Sequence, residues 1–105
     1  MKSRPNMLFI MSDQHSKFHL GCYGDPLVRT PHLDRLASEG MTFTNAYTAA
    51  PLCVPARMAF MTGRRPSANQ VWTNDHILSS ALPTWAHAVG ALGYETALIG
   101  RMHFL

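Results

Sequence analysis

The sequence predicts an α/β layer fold with a mostly parallel sheet, and three observations carry that expectation. The run Met7-Leu8-Phe9-Ile10-Met11 is continuously apolar, as in a strand covered on both faces. Helical patterns bounded by Pro and Gly alternate with strand-like runs along the chain. Polar clusters follow the first and last runs, Ser12-Asp13-Gln14-His15 and Gly100-Arg101-Met102-His103. In open α/β sheets ligands sit beyond the carboxyl ends of strands, so both clusters are candidates for chemistry.

Each element has its own signal. After a loop from Gly21 to Pro26, Thr30 and Pro31 suit the cap and first position of a helix. Leu33, Leu36 and Ala37 follow at helical spacing, and Gly40 supplies a stop. Met41 to Tyr47 alternates apolar and polar, which predicts a short strand with one covered face. A second helix is predicted from about Pro55 to Gly63. Arg64 to Ser80 reads as an irregular connection. A third helix opens at Pro83, buries Trp85, Ala86, Val89 and Leu92, and ends at Gly93. Glu95 to Ile99 gives the last strand.

Composition excludes several classes. The chain has 105 residues, enough for one small domain or a piece of a larger one. The apolar share is 47% and the charged share 14%, against roughly 25% charged in ordinary globular chains. That balance argues against disorder and for a piece whose apolar faces need covering. No run of about 18 apolar residues exists, so no transmembrane helix and no membrane partner are expected. No signal-peptide pattern is visible, which predicts a cytoplasmic protein. The net charge of +3 comes from scattered basic residues, not the stripe of a nucleic-acid binder. It fits a small anionic substrate. Two cysteines make no disulfide framework, and no CxxC or HExxH occurs. The chain stops at Phe104-Leu105, an apolar end rather than a polar tail, and we read it as truncated.

Cys53 would sit just before the second helix, where free backbone N–H groups and the dipole favour an anion and a thiolate. Arg57, one turn on, can offer a forked donor to a tetrahedral oxyanion. The plain alternative is a small buried cysteine and a surface arginine. Asp13 and Gln14 offer hard oxygens suited to Ca²⁺, Mg²⁺ or Mn²⁺, or simply a loop hydrogen bond. In an extended segment Arg101 and His103 would share a face, a cation and an imidazole suited to an anionic ester. Singly, each is more often structural. His19, His32, His76 and His87 are assigned to surface or packing.

Together these residues resemble the sulfatase family. Cys53-Val54-Pro55-Ala56-Arg57 is similar to its Cys-x-Pro/Ala-x-Arg signature. Asn6 to Asp13-Gln14 resembles its opening strand. Thr30 to Gly40 resembles its Thr-Pro-Asn-Leu-Asp-x-Leu-Ala-x-x-Gly helix, and Gly93 to His103 its Gly-Tyr-x-Thr-x-x-x-Gly-Lys-x-His block. The match spans nearly the whole chain.

The resemblance implies that residues 1–105 are the N-terminal fragment of an alkaline-phosphatase-like catalytic domain, an α/β sandwich truncated here. It implies a sulfuric ester hydrolase acting through a covalent sulfo-enzyme. Cys53 would be converted by a formylglycine-generating or equivalent enzyme to formylglycine, whose hydrate attacks. Asp13, Gln14 and the modified Cys53 would ligate a divalent cation, Ca²⁺ first and Mg²⁺ or Mn²⁺ next. Arg57 would orient the nucleophile, and His103 would act near the leaving oxygen. Gln14 in place of a second aspartate, and Asn74 as an anion contact, resemble the choline-sulfatase and phosphonate monoester hydrolase branch. Arg101 stands where lysine is usual, replacing a point charge by a planar fork. The family's other metal ligands lie further downstream, so these residues alone are expected to be inactive. The competing readings are a phosphonate or phosphate ester hydrolase on the same scaffold and a non-catalytic remnant.

Overall fold

A computed structural model of the chain describes residues 4–103. The chain end at Phe104-Leu105, on which the truncation expectation rested, lies outside the described residues. Two compact units divide at Asn45 and Ala46.

In the first unit, 3₁₀ turns at Lys17–His19 and Gly21–Tyr23 precede helix α1, Pro31–Glu39. Pro31 takes the first helical position as expected, but the Thr30 side chain does not cap the helix. Its hydroxyl accepts from the Gly21 N–H at 2.9 Å and donates to Asp34 Oδ1 at 3.0 Å. Asp34 Oδ1 also accepts the Cys22 N–H at 2.7 Å. This knot ties the Gly21–Tyr23 turn onto α1. It requires glycine at position 21, because a Cβ there would stand 2.5 Å from Asp34 Oδ2.

The second unit is built around α2, Cys53–Thr62. Its core is Val54, Met58 and Val71, with half-buried Leu78 packed against them. Helix α3, a single turn at Pro66–Asn69, falls in the segment expected to be irregular. Arg65-Pro66 puts proline at the first helical position, and buried Asn69 closes the turn. Its Nδ2 donates to the Arg64 carbonyl at 3.2 Å, and its Oδ1 accepts the Val71 N–H at 3.0 Å. Helix α4, Trp85–Ala91, starts at Trp85 rather than Pro83, because Thr84 and His87 form a reciprocal cap. The Phe60 and Trp85 rings meet edge-on with centroids 6.0 Å apart, joining α4 to α2.

The sheet expectation needs correction. No β-strand forms among the described residues. The segments 7–11, 41–47 and 95–99 carry no ladder. Leu8 is 83% exposed, Ile10 82% and Ile99 97%. The physical reason is pairing: a strand exists only through a neighbour's N–H and C=O groups, and a parallel strand needs both faces covered. At 43–44 side chains take the carbonyls instead. Tyr23 Oη donates to the Phe43 carbonyl at 2.6 Å, and Lys17 Nζ to the Thr44 carbonyl at 2.8 Å.

Candidate active site

Helix α2 begins at Cys53 itself, not near Pro55. Leu52 occupies the cap position in extended conformation and has no side-chain acceptor to offer. The first-turn donors can be followed one by one. Pro55 has none. Ala56 donates to the Leu52 carbonyl at 2.9 Å, opening the helical ladder. The Val54 N–H donates to Asn74 Oδ1 at 3.0 Å. Among the described residues the Cys53 N–H is therefore the one first-turn donor without a partner. The expected cradle of several free N–H groups narrows to that amide, beside a free and half-buried Cys53 thiol.

Asn74 is the residue whose placement was least foreseeable. An N–H can only donate, so the atom facing Val54 must be the amide oxygen. Asn74 Nδ2 keeps its donors for another acceptor next to the α2 N-terminus. Arg57 is 8% exposed, and its guanidinium reaches the Arg101–His103 segment. Its Nη1 donates to the Arg101 carbonyl at 2.6 Å and lies 3.8 Å from the Met102 sulfur. A buried charge on a carbonyl makes a charge-assisted bond, and it fixes the Arg101–His103 segment against α2.

That segment is not the regular extended stretch expected. Gly100 has φ +104° and His103 φ +57°, both left-handed, which breaks the simple alternation of side chains. Arg101 is exposed and His103 half-buried. His103 Nδ1 is buried and has no hydrogen-bond partner among the described residues. A buried ring nitrogen left so costs about 1–3 kcal/mol.

The structure thus brings Cys53, Asn74, Arg57, Arg101 and His103 into one unit. Asp13 and Gln14 lie in the first unit. Gln14 sits at φ +53°, a left-handed conformation unusual for a side chain of this size. Hard carboxylate and amide oxygens match a cation such as Ca²⁺ in chemistry, but a six- to eight-coordinate ion needs more donors. No group of three or more His, Cys, Asp or Glu able to hold a metal occurs among the described residues. The donor type fits and the donor number does not.

Sequence reasoning missed His76 and His87 as structural acceptors. Each closes a Thr-x-x-His turn in which the threonine N–H donates to the histidine Nδ1 at 3.2 Å. The signal was present in the repeated spacing of Thr73–His76 and Thr84–His87.

Comparison with known proteins shows the family. The sulfatase family model matches residues 5–105, the stretch containing every residue above. This chain belongs to the sulfatase family. It is 44% identical to the steryl-sulfatase of Mus musculus over 94% of its own length and 18% of that protein's. It is 43% identical to the choline-sulfatase of Rhizobium meliloti, covering 97% of this chain and 20% of the relative. An ulvan-active sulfatase of Formosa agariphila is 42% identical, covering 96% and 20%. The chain spans about a fifth of the length of these curated relatives.

Proposed function

We propose that this chain carries the nucleophile segment of a sulfuric ester hydrolase. The observation that carries the reading is the placement of Cys53. It opens α2 with its own N–H unclaimed, in a unit that also contains Asn74, Arg57, Arg101 and His103. Oxidation of Cys53 to formylglycine by a modifying enzyme would supply the attacking oxygen that a thiol lacks. The Cys53 N–H and Asn74 Nδ2 are donors for the substrate's anionic oxygens. Arg57 holds the Arg101–His103 segment, Arg101 adds positive charge, and His103 supplies a ring nitrogen for the leaving oxygen. Asp13 and Gln14 would be two of the hard-oxygen ligands of a divalent cation, Ca²⁺ first.

Segments 7–11, 41–47 and 95–99 are, on this reading, strands of an α/β sheet completed by sequence beyond this chain. Their exposure and the greater length of the relatives support it. The test is a panel of aryl sulfate, choline sulfate and phosphonate monoester on the complete protein, with mass spectrometry of the Cys53 peptide. Sulfate esters turned over fastest, with formylglycine at position 53, is the expected result. Preference for the phosphonate would reassign the substrate on the same scaffold. No turnover and an unmodified Cys53 would favour a non-catalytic remnant.

A further inference from the structure

We propose that His76 is a positioning residue for Cys53, acting through Asn74. The proposal rests on the reading of Cys53 as the nucleophile position. It begins with a capping problem. Helix α2 is preceded by a leucine that cannot cap it, and its second residue, Val54, is 4% exposed. A buried N–H at that point needs an acceptor. The acceptor comes from Asn74, 20 residues away in sequence. The Cys53 end of α2 therefore depends on how Asn74 is held.

The Thr73–His76 turn holds it. The Thr73 N–H donates to His76 Nδ1 at 3.2 Å, and Thr73 Oγ1 lies 2.7 Å from the same nitrogen. The Asp75 N–H donates to Thr73 Oγ1 at 3.3 Å, and the His76 N–H to the Thr73 carbonyl at 3.3 Å. Because a backbone N–H points at Nδ1, that nitrogen is an acceptor and the ring proton is on Nε2. Val71, fully buried against Val54 and Met58, anchors the segment just upstream.

A second copy of the same lock shows what is unusual here. Thr84 and His87 make matching contacts, at 3.2 Å and 2.8 Å, and there they start helix α4. Histidine stands where a capping box normally has Glu or Gln. After Thr73 no helix follows. The same lock, with no helix of its own to cap, presents Asn74 to the N-terminus of α2.

The experiment uses the complete protein with three variants and a control. His76→Ala removes the acceptor. His76→Asn keeps one at the position of Nδ1. Asn74→Ala removes the cap itself, and His87→Ala removes the matching lock at α4. The first readout is hydrogen exchange at the Val54 amide. His76→Ala and Asn74→Ala are expected to speed it about 5- to 10-fold, the effect of losing one cap. His76→Asn should restore most of the protection, and His87→Ala should leave it unchanged. The second readout is turnover. His76→Ala is expected to lower kcat about 10- to 100-fold by misplacing the attacking group, with KM within about twofold. Adding His76→Ala to Asn74→Ala should change nothing further, because both act on one path.

Unchanged Val54 exchange in His76→Ala overturns the proposal. So does equal loss in His76→Asn and His76→Ala, or additive loss in the double variant. The exchange readout needs no substrate. A protein without esterase activity but with the expected exchange pattern would sink the sulfatase reading and leave the positioning of residue 53 intact.

Discussion

The α2 region and the Met7–Met11 run are both rich in apolar residues and opposite in structure. Val54 and Met58 are 4% and 1% exposed, whereas Leu8 and Ile10 are more than four-fifths exposed. Around α2 the chain supplies its own partners: Val71 and Leu78 against one face, Trp85 against Phe60, and Asn74 for the loose Val54 amide. The Met7–Met11 run finds no strand to pair with among the described residues. Apolar composition states that a surface needs covering. Which surface covers it is a property of other segments.

The largest expected effect sharpens that contrast. Met58→Ala empties a fully buried site and should cost about 2–5 kcal/mol by chemical denaturation of the complete protein. Ile10→Ala is the informative partner. If the run is a sheet strand covered by sequence beyond this chain, it too should cost about 2–5 kcal/mol there. A change within about 0.5 kcal/mol, the norm for exposed positions, would mean that the run stays bare and the sheet reading is wrong.

A middle-sized effect tests the knot in the first unit. Gly21→Ala pushes a methyl onto the Asp34 carboxylate, which also holds the Cys22 N–H, and should destabilise by about 1–3 kcal/mol. Gly63→Ala is its counterpart in the second unit. No atom lies within 4 Å of a Cβ there, so only the left-handed φ of +64° is penalised, by about 1 kcal/mol. Equal costs at the two sites, read from melting of the two variants, would deny the knot its role.

The smallest effect is electrostatic. The Leu27 and Val28 N–H groups donate to the Asp25 carboxylate, and the His19 ring approaches it at 3.3 Å. The Leu27 bond first, then Val28, pull its pKa below the ordinary carboxylate value. A depressed folded value stabilises the fold above the unfolded pKa, and that contribution disappears as pH falls through the folded one. NMR titration of the Asp25 carboxyl should show the lowered midpoint, and Leu27→Pro, which removes the first donor, should raise it. A midpoint at the ordinary value would remove this contribution.

Much of the site was legible because its residue types and spacing are local. Cys53 to Arg57 lie on one helix, and Arg101 to His103 follow one glycine. What could not be read depended on distant partners. Helix α2 starts two residues before the proline that signals it, because the buried Val54 amide finds its acceptor in distant Asn74. Thr30 looked like a helix cap, but its hydroxyl goes to Gly21 and Asp34. The alternation from Met41 to Tyr47 was real, yet Tyr23 and Lys17 take two of its carbonyls. Arg57 reads from its spacing as an oxyanion donor, and its Nη1 donates to the Arg101 carbonyl 44 residues on.

On the proposed function, residue 53 carries the reacting group of a sulfatase. The most direct test is kcat/KM for an aryl sulfate, measured on the complete protein and its Cys53→Ala variant. A loss of at least about a thousandfold is predicted, the scale of removing a nucleophile. Equal turnover in the two proteins would mean that residue 53 is not the reacting group.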